Sequence, residues 1–203
     1  MIRITDPDVV FTDLALAVLA AVFAWRLRRA APAEPRPALL MAGLASAAFF
    51  GAVFHGGGAA RTVWLAVALS IVVVTAMLLS IALSLRARVL SPRAQRGVVA
   101  GYAVVFAAAV VFVDDSFRTI VRFYGPAVLV AFVVAALEAL RRHSRPWALI
   151  AAGLGLSIVA AVLQRAAVGL HPTYFDHNAV YHVVQAAALI VLYLGFRRAD
   201  VVR

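Results

Sequence analysis

The chain predicts an all-α membrane protein with seven transmembrane helices, its N-terminus outside and its C-terminus cytoplasmic. Three observations carry that expectation. Hydrophobic residues fill 65% of the 203 positions, and mean hydropathy is +0.98, whereas soluble domains are about half apolar. The apolar residues gather into seven runs close to the roughly 20 residues that a helix needs to cross a bilayer. Those runs are rich in Ala, Leu and Val without strict alternation, which favours helices over a barrel, the other structure that satisfies its backbone in lipid.

The first run covers about 9–27, with Asp6, Asp8 and Asp13 against one Arg3 at its head and Arg26, Arg28 and Arg29 at its tail. A cleaved secretory signal has the opposite charge order, so a retained helix is expected. The second run, about 37–57, ends on Gly56-Gly57-Gly58, which has no strand before it and so reads as a helix end, not a phosphate loop. The third, about 62–85, contains no acid. The fourth, about 97–113, follows Ser91-Pro92-Arg93 and, like the first, is at the short end. Before the fifth, about 124–141, Asp114 and Asp115 stand near Arg118 and Arg122, a local ion-pair network by spacing. Glu138 lies three and four residues before Arg141 and Arg142, a helical ion pair. Arg142-His143-Ser144-Arg145-Pro146 leads to the sixth run, about 147–168, and the seventh is about 177–196. No internal repeat is visible, so residues 1–203 are expected to form a single polytopic membrane domain.

The net charge is +10, and all 19 basic residues are arginine. They cluster in connectors between apolar runs, a pattern of membrane orientation and not of nucleic-acid binding. Counting alternate connectors places fourteen arginines on one side and five on the other. The positive-inside rule puts the fourteen in the cytosol, with a bacterial plasma membrane as the expected location and membrane lipids as the expected partners. The chain has no cysteine, which excludes disulfides and thiol catalysis.

With that topology His55, His171, His177 and His182 share one slab near the outer surface with Asp13 and Asp176, although they come from distant segments. Polar groups at membrane depth are costly and tend to carry function. Asn178, His182 and Gln185 are spaced i, i+4, i+7 and form one polar stripe on a helix. His55, His177 and His182 are the candidate metal ligands, since zinc takes three protein ligands and a water in catalytic sites. Asp176, Asn178 and Gln185 stand near enough in sequence to fix the histidine tautomers. Asp13 or Asp176 is the candidate to orient a water or act as general base. His177 and His182 are five residues apart, about 140° around an ideal helix, so they converge only if His177 precedes the first turn or the turn is distorted. For each histidine the alternative is a half-wet group hydrogen-bonded at the interface, and for Asp13 a helix N-cap.

Phe49-Phe50-Gly51-Ala52-Val53-Phe54-His55-Gly56 and Asn178-Ala179-Val180-Tyr181-His182, within seven helices, resemble the superfamily of alkaline ceramidases and progestin/adiponectin-receptor-like proteins. The resemblance implies a zinc ion held by three histidines and hydrolysis of an amide or similar bond in a lipid. It assigns His55 as the second-helix ligand and His182 as the second histidine of the last-helix pair. The chain departs from that pattern in three places. Asn178 stands at the first position of the His-x-x-x-His pair, Gly51 stands where the family has Ser, and the third run lacks the family's Asp. The function expected is therefore a divergent zinc-dependent lipid hydrolase. The alternative is a non-catalytic seven-helix protein that binds a lipid or small ligand in an outer-face polar cavity. A transporter fits less well, because no pair of broken helices recurs in matching halves.

Overall fold

The computed structural model describes residues 6–57, 60–85, 90–171 and 175–199. Among the described residues seven helices are long and apolar enough to cross a membrane, the architecture of a multi-pass membrane protein. They are α1 (Pro7–Ala30), α2 (Arg36–His55), α3 (Arg61–Ser84), α4 (Pro92–Ala108), α5 (Phe117–Arg142), α6 (Arg145–Arg165) and α7 (His177–Arg198). A π-helical turn, Ala109–Val113, carries α4 onward.

Each helix coincides with one apolar run, but two begin well before it. In α4 the Ser91 side chain accepts a hydrogen bond from the Ala94 N–H and Pro92 opens the first turn, a favoured start, so the helix takes in Arg93 and Arg96. α5 starts at Phe117 and includes Arg118, Arg122 and an internal Pro126. Its start is organised by Asp114, whose carboxylate accepts from the Ser116 N–H at 3.0 Å, from the Ser116 hydroxyl at 2.8 Å and from the Thr119 hydroxyl. The Thr119 bond first, then those from Ser116, hold the Asp114 carboxyl below its ordinary range, and Arg122 adds to this. Asp115 does not pair with Arg118 or Arg122 as its spacing suggests. It bonds Arg61 of α3 at 2.8 Å, because the turn aims it across at the neighbouring helix. Glu138 and Arg142 do pair, at 2.6 Å.

The helices run up and down. Asp6 meets His55, Asp8 meets Asp176, Phe54 packs on Trp64, and Trp64 donates to the Asp115 carbonyl. These contacts collect the start of α1, the end of α2, the starts of α3, α5 and α7, and the end of α4 at one end of the bundle, hereafter the site end. Helices α1, α2, α3, α5, α6 and α7 close a ring in that order, and α4 packs against α3 outside it. Only 11% of the most apolar stretch of α4 is buried, against 44% for α2, α3 and α7, so α4 is peripheral. Phe23 and Tyr193 stack at 4.2 Å where α1 meets α7. The closest seam is α6 on α7: a Cβ added at Gly153 would stand 2.6 Å from Leu192 Cγ and 2.9 Å from the Leu192 backbone nitrogen.

Candidate functional site

Pro7 opens α1, and Asp13 lies inside the helix, 5% exposed. It is therefore not an N-cap. Across from it on α7 stands His182, 9% exposed. Asp13 Oδ1 is 3.2 Å from His182 Nε2. The other ring nitrogen, Nδ1, is 3.0 Å from the Thr12 hydroxyl. Thr12 donates to the Asp8 carbonyl at 2.8 Å, with the Val9 carbonyl at 3.0 Å.

The Thr12 hydroxyl reaches the Asp8 and Val9 carbonyls and His182 Nδ1, so both ring nitrogens face a polar partner. Either tautomer of His182 places one proton between Nε2 and Asp13 Oδ1, on the imidazole or on the carboxyl. The chemical meaning of the contact is a buried acid–base pair shared by the first and last helices.

The space for the Asp13 carboxylate is made by Gly51 on α2. A Cβ at that position would stand 2.8 Å from Asp13 Oδ2. A side chain at position 51 and the Asp13 carboxylate would compete for one volume.

The other expected site residues divide. His55 ends α2 at the site end, its Nδ1 3.3 Å from Asp6 Oδ2. His177 does not join His182. It is the first residue of α7, its ring turned to Asp176 at 3.7 Å, as the 140° separation on a helix dictates. Asp176 caps α7, accepting from the N–H groups of Asn178 at 2.8 Å and Ala179 at 2.9 Å. Its own N–H donates to Asp8 Oδ2 at 3.1 Å. Asn178 and Gln185 support α6, not the histidines. The Gln164 amide donates to Asn178 at 2.9 Å, and the Gln185 amide donates to the Ser157 hydroxyl at 3.1 Å. His171 is exposed beside its bridge to Phe175.

Among the described residues no three His, Cys, Asp or Glu side chains form a group able to hold a metal. Two donors of a tetrahedral zinc, each about 2.0–2.1 Å from it, stand about 3.3 Å apart, and the 3.2 Å of Asp13 and His182 suits such a pair. The arrangement thus falls one donor short of the three protein ligands of a catalytic zinc.

Sequence reasoning missed Thr12, Ser157 and Gln164, and marked Gly51 without its contact to Asp13. Thr12 had one signal, its place beside an aspartate in an apolar run. The Ser46 hydroxyl accepts from the Ser70 hydroxyl at 2.9 Å, joining α2 to α3.

Residues 9–201 match a family described as a family of unknown function, DUF6962. The match spans nearly the whole chain, which therefore belongs to that family. No curated protein and no solved structure matches the chain.

Proposed function

We propose that this protein is a membrane-embedded hydrolase acting on an amide or similar bond of a lipid, with Asp13 and His182 as its reacting pair. The observation that carries the proposal is their 3.2 Å contact between two helices at opposite ends of the chain. A buried pair of this kind is costly in an apolar bundle and tends to mark function. We place the site end outside the cell membrane, since the arginine-rich connectors lie at the opposite end.

The side chains supply acid–base chemistry. Thr12 holds the imidazole through Nδ1, leaving Nε2 to face the carboxylate. As water oxygen adds to the carbonyl carbon and the C–N bond breaks, the proton held between Asp13 and His182 passes to the leaving amine. The proton lost by the water takes its place, so the pair is restored. A zinc ion, as the superfamily resemblance implies, would take Asp13 and His182 and need His55 as third donor. It would polarise the water, but the steps here are those of the side chains alone.

The test is turnover of a short-chain fluorescent ceramide by detergent-purified protein, with metal content measured on the same samples. The wild type is expected to release fatty acid, and Asp13→Asn and His182→Ala to fall by about 100-fold or more, the scale of general acid–base catalysis. About one zinc per wild-type chain, lost on replacing both His55 and His182 with Ala, would establish the metal. A folded wild type that cleaves no lipid amide removes the hydrolase reading. Ceramide bound by a folded wild type without turnover would support the second reading, lipid binding alone.

A further inference from the structure

The bundle shares its charges unevenly. At the end opposite the site end, the carboxylates among the described residues are those of Glu34 and Glu138. Both are taken, Glu34 by Arg36 at 2.6 Å and Glu138 by Arg142 at 2.6 Å. The arginines left over are densest in one corner. α5 ends on Arg141 and Arg142, and α6 begins at Arg145. Between them His143 takes the left-handed conformation, φ 49°, and its N–H and that of Ser144 both bond the Ala139 carbonyl. One tight turn therefore carries three arginines.

The end of α7 is pinned beside that turn. A Cβ added at Gly195 would stand 2.9 Å from the Ile150 nitrogen and 3.1 Å from the Pro146 carbonyl oxygen. α7 thus passes the start of α6 at backbone contact just before Arg197 and Arg198. Arg197 lies over the Tyr193 ring, 5.7 Å from its centroid. Arg141, Arg145 and Arg198 are exposed, and among the described residues their side chains have no ionic or hydrogen-bond partner. Helix polarity accounts for part of this. Arginines in the last turns of α5 and α7 complement the negative helix ends. Arg145 does the reverse: it opens α6 at the positive end, and no acid in that turn answers it. Beside the corner α5 exposes Val133, Leu137 and Leu140, which share one helix face leading to Arg141.

We propose that this corner binds an anionic phospholipid, its phosphate held by Arg141, Arg145 and Arg198 and an acyl chain lying along Val133, Leu137 and Leu140. The match is one of charge over an apolar stripe. Guanidinium groups donate paired N–H groups to phosphate oxygens, and basic pockets between membrane helices take anionic headgroups. A zwitterionic headgroup brings its own ammonium into a corner already cationic. The site lies at the far end of the bundle from Asp13 and His182 and stands whatever chemistry they perform.

The experiment is equilibrium binding of a fluorescent phosphatidylglycerol, and of the matching phosphatidylcholine, to the full chain in neutral detergent. Wild type is compared with Arg141→Gln/Arg145→Gln and with Arg93→Gln/Arg96→Gln, which removes the same charge at the same end but from α4, outside the ring. Wild type is expected to bind phosphatidylglycerol at least about 10-fold more tightly than phosphatidylcholine. The corner variant should bind it about 30-fold more weakly, about 1 kcal/mol for each arginine, and the α4 variant within about 2-fold of wild type. Arg198→Gln alone, in the last turn of α7, should weaken binding about 5-fold and reads the same site if the double variant fails to fold. Equal affinity for the two lipids overturns the proposal. Equal losses in the corner and α4 variants do so as well, since they mark diffuse attraction to the whole end. Displacement of the lipid by excess glycerol phosphate overturns the lipid assignment in favour of a soluble phosphate.

Discussion

Gly51→Ala should change sign with the identity of residue 13. In the wild type the added Cβ would stand 2.8 Å from Asp13 Oδ2, 3.4 Å from Cγ and 3.5 Å from Oδ1. The carboxylate must retreat by several tenths of an ångström, and its 3.2 Å contact with His182 is the interaction that gives way. Overpacking costs about 1–3 kcal/mol, and a weakened buried hydrogen bond adds about 1 kcal/mol. Replacing a helical Gly with Ala returns about 1 kcal/mol. The net expectation is destabilisation by about 1–3 kcal/mol. Asp13→Ala removes the atoms in conflict and leaves His182 without its acid, at about 1–3 kcal/mol. In that background Gly51→Ala keeps only the propensity gain and should stabilise by up to about 1 kcal/mol, a coupling of about 1–4 kcal/mol. Four proteins, wild type, both single variants and the double variant, unfolded by SDS titration from one mild detergent, complete the cycle. A Gly51→Ala effect of equal sign and size in both backgrounds would refute the claim that Gly51 exists to admit the Asp13 carboxylate.

Gly153→Ala should destabilise by about 2 kcal/mol, because its Cβ would meet the Leu192 backbone nitrogen at 2.9 Å and the Ala188 carbonyl at 3.0 Å, atoms that yield only if α6 and α7 separate. Gly101→Ala on α4, where nothing lies within 4 Å, should be neutral or stabilising by up to about 1 kcal/mol, and the same titration ranks the two. Asp114 makes a pH prediction. Its folded pKa lies below the ordinary aspartate value of 3.8, so its stabilising contribution is present above that value and fades as pH falls through the folded pKa. Asp114→Asn should flatten the acid limb of a thermal-midpoint profile and leave the neutral limb parallel to wild type.

The seven spans were legible because crossing a bilayer depends on a sum over adjacent residues, and that sum can be read without knowing what each helix touches. Their ends were less so. The apolar runs place the start of α4 near residue 97 and of α5 near 124, while the helices begin at Pro92 and Phe117. Side-chain bonds from Ser91 and Asp114 and an arginine rim extend each helix past its apolar run. Asp13 and His182 stood out as polar residues in apolar surroundings, which needed no tertiary information. Their pairing did. It follows from how far α1 and α7 are rotated about their axes and how closely they approach, which many distributed contacts decide, among them the Phe23–Tyr193 stack. The same rotations turn His177 toward Asp176, hand Asn178 and Gln185 to α6, bring Thr12 onto the second ring nitrogen of His182, and make the missing side chain at Gly51 the space in which an acid from another helix sits. Hydropathy and spacing report the depth and face of a residue on its own helix; its partner depends on the faces of the other helices, and only packing relates them.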